Sequence, residues 1–264
     1  MSSDFNKAGK DLRNGLKLYK VWFHQAYHGI SSKYKNTALG SLWIAGSMVA
    51  TSLSLSLVFG LIMGQNLHEV LPRIMAGILV YGLVGYVLGE AVEIFLGAAG
   101  TIKNHAYPFT FYVFENVTRS VLIFLHNLIV FFFALVCVQN FKVPHWSVLL
   151  GLPIVIVTIL SWGCVMGMLA ARFRDLRFLM PYISQLVFFV TPIFWYPAGK
   201  VEGWRKVIID YNPFFGLVEV IRDPLLGNAP PMHLWVLALV TMISGLLVSA
   251  LVFPPLRRRI PFWV

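Results

Sequence analysis

Charge is in short supply in this sequence. Charged residues fill 12% of its 264 positions, against 58% hydrophobic residues and a mean hydropathy of +0.74. A soluble domain carries about 25% charged residues, so the composition excludes an ordinary water-soluble fold and makes a bilayer the solvent. Cysteine is nearly absent. Cys137 and Cys164 both fall inside apolar runs and read as packing residues rather than a disulfide or a metal pair. No G-x-x-x-x-G-K-[ST] loop occurs, since the Ala-Gly-Lys fragments at 8–10 and 198–200 lack the spacing and the hydroxyl. H-E-x-x-H and Cys/His clusters with metal spacing are missing as well. These absences predict a chain that neither hydrolyses nucleotide itself nor carries a metal, cofactor or catalytic residue. The polar, basic start has no short apolar core before a small-residue cleavage site, so the first membrane segment is expected to act as its own insertion signal.

What is present is long apolar runs. A spanning helix needs about 20 mostly apolar residues, and six candidates meet that length, at about 38–63, 74–98, 111–138, 146–170, 178–196 and 233–253. The expected fold is an all-α integral membrane protein with six transmembrane helices, an N-terminal amphipathic interface helix and two short re-entrant helices between spans five and six. Residues 1–36 form the cytoplasmic N-terminal segment and 37–264 the membrane domain, with an extracytoplasmic re-entrant segment at 197–231. The surplus charge of +10 does not mark a nucleic-acid binder, because Lys and Arg gather at the edges of apolar runs. Six spans put fourteen Lys and Arg on the side of the termini and six on the other. By the positive-inside rule both termini are then cytoplasmic.

Leu12, Leu16, Tyr19, Trp22, Phe23, Tyr27 and Ile30 recur at steps of one, three or four, with Lys10, Arg13, Lys17, Lys20 and His24 largely opposite. This pattern suits a basic amphipathic helix lying in the inner-leaflet interface. It also fits a surface helix of a small cytoplasmic domain.

Some spans contain ionisable groups, a functional sign because an unpaired charge at membrane depth is costly. Glu90 and Glu93 share a helical face in the expected span two. Glu115 and Arg119, four apart in span three, are placed for an intrahelical ion pair, and His126 and Asn127 follow. A proton-coupled carrier, or a membrane enzyme needing a carboxylate base, could use this set. Alternatively the groups pair with one another or line a wet cavity. Aromatics crowd span five at Phe188, Phe189, Phe194, Trp195 and Tyr196. They fit interface anchoring and packing, or a smooth wall for sugars, whose CH faces lie well on aromatic rings. The loop Arg172-Phe-Arg174-Asp175-Leu-Arg177 either fixes topology or bonds a partner, and its charges can also complement helix ends.

Three stretches carry a family resemblance. SSKYKNTALGSLW (31–43), with Tyr34, Thr37, Leu39, Gly40 and Trp43, resembles the entry into span one of ABC-2 type polysaccharide-export permeases. ARFRDLRFLMPYISQLVFFVTPIFWYP resembles their cytoplasmic loop and fifth span, with Arg174-Asp175 and Pro192 as landmarks. NPFFGLVEVIRDPLLG (212–227) resembles their Asn-Pro element and following Arg. The likeness runs from about residue 10 to 255 and is nearest to permeases for O-antigen, capsule or teichoic acid. Glu90, Glu93 and His105 depart from the pattern.

The resemblance implies a pore of two copies of the chain, with two separate ATPase subunits that bind ATP and Mg. Thr101, Ile102, Lys103, Asn104 and His105 would form the coupling helix, with Arg172, Arg174 and Asp175 beside it. Trp43, Phe59, Phe188, Phe189, Phe194, Trp195 and Tyr196 would line the channel. Trp204, Asn212, Pro213, Phe214 and Arg222 would belong to gate helices at the outer mouth. The implied activity is ATP-driven export of a lipid-linked polysaccharide, most directly O-antigen, across a bacterial inner membrane. Membrane lipids are the other contact, and nucleic acid is not a partner. The same fold could instead export a small lipophilic cargo, although no large extracytoplasmic domain interrupts this chain.

Overall fold

Backbone polar groups in hydrocarbon must be satisfied within the protein, which leaves an apolar chain like this one helices or a closed barrel. In the computed structural model, which describes residues 2–35, 37–64, 66–195 and 203–264, every regular element is helical. Two N-terminal helices, α1 (Ser2–Lys17) and α2 (Tyr19–Tyr34), precede α3 (Leu42–Met63) and α4 (Leu67–Val84). Three short helices follow, α5 (Tyr86–Gly89), α6 (Glu93–Leu96) and α7 (Ala99–Asn104). Then come α8 (Phe109–Cys137), α9 (Val148–Arg172), α10 (Leu176–Val190), α11 (Trp204–Asp210), α12 (Pro213–Leu225), α13 (Met232–Leu256) and α14 (Ile260–Trp263).

Among the described residues five helices are long and apolar enough to cross a membrane: α3, α4, α8, α9 and α13 with its continuation to Trp263. The chain is a multi-pass membrane protein. Two expected spans differ from their sequence outlines. The second does not run to residue 98. It ends at Val84, where Gly82, Gly85 and Gly89 weaken the helix. The Ala91 amide then bonds Tyr86 O, five residues back, and resets the register. Glu90 and Glu93 therefore do not share a face of one spanning helix.

The fifth expected span is helical only over Leu176–Val190, 15 residues, or about 22 Å at 1.5 Å per residue. Pro192 forces the residue before it out of the α region, and Thr191 is extended (φ −77°, ψ 132°). The chain continues as a non-helical stretch through Trp195. Tyr196 lies outside the described residues.

The N-terminal amphipathic pattern also resolves differently. The helix breaks at Leu18 (φ −84°, ψ 22°), and α1 and α2 both lie along α8. Ala8, Asp11, Gly15 and Ala26 are buried against the bundle, while Leu12, Leu16, Tyr19, Phe23 and Tyr27 stay exposed. Those exposed residues are the apolar stripe that the sequence pattern assigns to a lipid interface.

With no water to expel between lipid-facing helices, close van der Waals packing of small residues drives association. α9 and α13 show it. Gly245 leaves room for the Trp162 ring, whose Cδ1 would stand 2.6 Å from an added Cβ, and Trp162 Nε1 donates to Thr241 O at 3.1 Å. α12 is wedged among α4, α9 and α13. α3 packs on α4, and α10 on α5 and α9. Both turn apolar residues outward: Leu53, Leu57 and Leu61 on α3, and Phe178, Tyr182 and Leu186 on α10.

Candidate functional site

Two regions hold the candidate functional side chains, one at each end of the bundle. The first is the chain reversal after α10, which α12 clamps at both of its ends. Asn212 caps α12: its Oδ1 accepts from Phe214 N (2.9 Å) and Phe215 N (3.3 Å), and Pro213 stands where no amide donor is needed. The same side chain donates from Nδ2 to Thr191 Oγ1 at 3.1 Å.

Three turns on, Arg222 is 0% exposed. Its guanidinium donates to Pro192 O (3.0 Å) and Ile193 O (3.1 Å), carbonyls that the broken helix leaves without helical partners. Its Nε donates to Glu219 Oε2 at 3.1 Å, and a further bond joins Nη2 to Glu219 Oε1. Glu219 is 1% exposed, and Arg73 of α4 stands 3.8 Å from it. Gly77 on α4 lets this cluster approach, since an added Cβ would fall 2.9 Å from Ile193 Cγ2 and 3.1 Å from Arg222 Nη1. Asp223 completes the group. Burial, followed by the negative charge of Glu219, pushes its carboxyl up to about 7.

Aromatic rings gather beside the reversal. Phe194 lies 4.7 Å from Phe59, 5.4 Å from Phe188 and 5.6 Å from Phe189, by ring centroid. Phe188 packs on Tyr81, whose hydroxyl donates to Ser184 O at 2.6 Å. Trp195 Nε1 donates to Phe189 O at 2.9 Å. Four of the residues assigned to a channel wall, Phe59, Phe188, Phe189 and Phe194, thus form one cluster. Trp43 sits apart and exposed at the start of α3. Phe194 is buried in the single chain.

The second region is the end that carries both termini. α7 holds Thr101 and Ile102 half-buried and presents Lys103 and Asn104, with His105 exposed just beyond in extended backbone (φ −134°, ψ 137°). Behind α7, Tyr107 stacks on Phe111 with centroids 4.6 Å apart. Arg172, Arg174 and Asp175 are all exposed. Two of them also touch the chain's own C-terminal helix: Arg174 Nη2 donates to Trp263 O (3.0 Å), and the Arg172 guanidinium lies 5.9 Å over the Trp263 ring. Asp175 makes no side-chain cap to α10.

Arg177 and Glu93 meet as an ion pair, Nε to Oε1 at 3.1 Å and Nη2 to Oε2 at 3.3 Å, which ties α10 to the segment leading into α7. A second fastening joins α1, α8 and the chain's end. Asp11 accepts from Phe109 N (3.2 Å) and Thr110 N (3.0 Å), the free amides at the start of α8, and pairs with Arg257 at 2.8 Å.

The intrahelical pair expected in span three forms between Glu115 and Arg119. His126 Nε2 and Asn127 Oδ1 are buried without a hydrogen bond among the described residues. Glu93 is bound to Arg177 of α10 and Glu115 to Arg119 within α8, and Glu90 lies within electrostatic reach of that same Arg119. Trp204 starts α11. Sequence reasoning missed Asp11, Arg73, Glu219 and Asp223. The three-residue spacing of Glu219 and Arg222 was a readable signal for their pair. Asp11 lay on the polar side of a surface-helix pattern and gave none.

No curated protein matches the chain by sequence. The model of the ABC-2 type transporter family matches residues 27–226, a range that holds α7, the Arg172–Arg177 loop and all of α12. Members of that family are membrane components that work with ATPase subunits, which fits a chain with no nucleotide-binding loop of its own. By this match and its helical membrane fold, the chain belongs to the ABC-2 type transporter family as a permease.

Proposed function

We propose that two copies of this chain form the membrane pore of an exporter of a lipid-linked polysaccharide, with O-antigen as the foremost candidate, driven by two ATPase subunits. The end carrying both termini faces the cytoplasm of a bacterial inner membrane, in keeping with its Lys and Arg surplus. The ATPase would seat on Lys103, Asn104 and His105, with Arg172, Arg174 and Asp175 at its margin. The Glu93–Arg177 pair would carry its motion to α10. The channel would lie between the outward faces of α3 and α10 of the two copies, and residues 37–264 would be one membrane domain whose re-entrant part is gated by α11 and α12.

The observation that carries the cargo reading is the ring cluster Phe59, Phe188, Phe189 and Phe194 beside the clamped reversal. Phe189, half exposed at the edge of this cluster, offers a ring face that supports sugar rings without strong hydrogen bonds, as a sliding polymer requires. Co-expression with a partner ATPase, reconstitution, and measurement of ATP-dependent protection of a lipid-linked polysaccharide from an external glycosidase test it. Transport should need both subunits and fall when Phe188 and Phe189 become Ala. Export of small lipophilic compounds alone, with no polysaccharide moved, would overturn the cargo assignment.

A further inference from the structure

A hollow of about 490 Å³ opens at the end of the bundle that carries both termini. Lys7, Lys10, Asp11 and Asn14 line it from α1, residues 105–109 from the turn between α7 and α8, and Arg257 from the chain's end. The one carboxylate in this lining is already in use. Asp11, 6% exposed, accepts from Arg257 Nη1 (2.8 Å), from Phe109 N (3.2 Å) and from the amide (3.0 Å) and hydroxyl (2.9 Å) of Thr110. Lys7 and Lys10 are exposed, and neither pairs with a carboxylate among the described residues. Arg257 gives Nη1 to Asp11 and Lys7 O, and its Nε and Nη2 have no hydrogen-bond partner among the described residues. Uncompensated positive charge therefore stands beside the apolar surfaces of Ile102, Tyr107 and Pro108.

The length of α8 decides which class of partner can reach that charge. Its 29 residues extend about 43 Å at 1.5 Å per residue, against about 30 Å of hydrocarbon. Glu115, Asn116 and Arg119 lie towards its start, while residues 128–137 at its other end include no charged or amide side chain. The surplus of about 13 Å therefore projects at the Phe109 end, and a tilt of about 20° leaves about 11 Å of it. Lipid head groups occupy only about 5–7 Å beyond the hydrocarbon on each side. The hollow, which Phe109 lines, stands past them, where a protein partner meets it and a membrane phosphate does not.

We propose that this hollow is a second contact for the ATPase subunit, beside the exposed residues of α7, and that it takes an acidic side chain of that subunit. The inference rests on the reading that an ATPase docks at this end, and it does not depend on the cargo exported. His105 lines the hollow and also ends the seat proposed on α7, so the two contacts are continuous. Their mechanical routes differ. The Glu93–Arg177 pair leads from α7 to α10. Asp11 instead joins α1 to the first amides of α8 and to Arg257 at the end of α13. An acid held by Lys7 and Lys10 thus pulls on α1, α8 and α13.

The test uses the full chain together with the ATPase subunit that co-purifies with it. A carbodiimide activates a carboxyl group, and a lysine amine that touches it displaces the urea to form an amide. Mass spectrometry should then find Lys7 or Lys10 joined to an Asp or Glu of the ATPase. Lys7→Glu with Lys10→Glu should weaken ATPase binding about tenfold, with the melting temperature of the isolated chain unchanged. Changing the cross-linked acid of the ATPase to Lys should restore binding to that double variant. Native affinity should fall as salt rises, and the slope should flatten in the double variant. Cross-links from Lys103 with none from Lys7 or Lys10, or full ATPase binding by the double variant, would overturn the inference and leave ATPase docking on α7 intact. A double variant that binds ATPase normally but loses retention on phosphatidylglycerol vesicles would overturn it in favour of a lipid contact. A native chain that brings down no ATPase would refute the docking reading itself.

Discussion

Replacing Arg222 by Met leaves three buried acceptors without their donor. The first is the Glu219 carboxylate, 1% exposed, which loses two charge-assisted bonds. Arg73, 3.8 Å away with a side chain 37% exposed, compensates weakly because water screens it. Removing one member of a buried pair costs about 3–5 kcal/mol. The carbonyls of Pro192 and Ile193 are the other two acceptors, and an unsatisfied buried acceptor costs about 1–3 kcal/mol. The single variant should therefore lose at least about 5 kcal/mol of unfolding free energy. Replacing Glu219 by Met as well removes the stranded charge and leaves the carbonyl cost. The double variant should then be more stable than Arg222→Met by about 3 kcal/mol, the lower end of the cost of the stranded charge. Equilibrium unfolding in mixed micelles, followed by helical circular dichroism, measures both. A loss below about 1 kcal/mol for the single variant, or a double variant no more stable than the single, would refute the clamp as the support of the α10 reversal.

Breaking the half-exposed Glu93–Arg177 pair with Glu93→Gln should change stability by less than about 1 kcal/mol. It should still lower transport relative to the ATPase rate of the assembled complex, and the charge swap Glu93→Arg with Arg177→Glu should restore the ratio. Asp11→Ala removes the acceptor for the first amides of α8, a capping loss of about 1–2 kcal/mol, and should speed hydrogen exchange in α1 and at residues 109–112. For Asp223 the folded carboxyl titrates near 7, above its unfolded value of about 3.9. The folded state therefore holds the proton more tightly. Stability from this group is greatest below pH 4 and is lost as the pH rises through 7. Melting curves should fall between pH 5 and 8 for the native chain and flatten for Asp223→Asn; equal slopes would contradict the assignment.

Much of the architecture was legible because the membrane imposes simple rules on sequence. Low charge and runs of about 20 apolar residues require helices, and α3, α8, α9 and α13 fall close to their expected limits. Pairing of Glu115 with Arg119 follows from four-residue spacing on a helix, whatever surrounds it. The stretch at 31–43 and those around Arg174-Asp175 and Asn212-Pro213, in that order, together indicated the ABC-2 family.

Tertiary structure decided where helices stop and what charged groups face. Hydropathy carries an apolar run through Gly85 and past Val190, because glycines and Thr191-Pro192 hardly alter a hydrophobicity average. They alter the backbone instead, and the broken ends survive only because residues distant in sequence satisfy them: Arg222 bonds the carbonyls of Pro192 and Ile193, and Asp11 bonds the amides of Phe109 and Thr110. Such partners cannot be found by periodicity, which relates neighbours on one helix. They exist only once α12 is inserted among α4, α9 and α13 and α1 is laid along α8. For the same reason Glu93 looked like an intramembrane carboxylate and proved to be an ion-pair partner of Arg177.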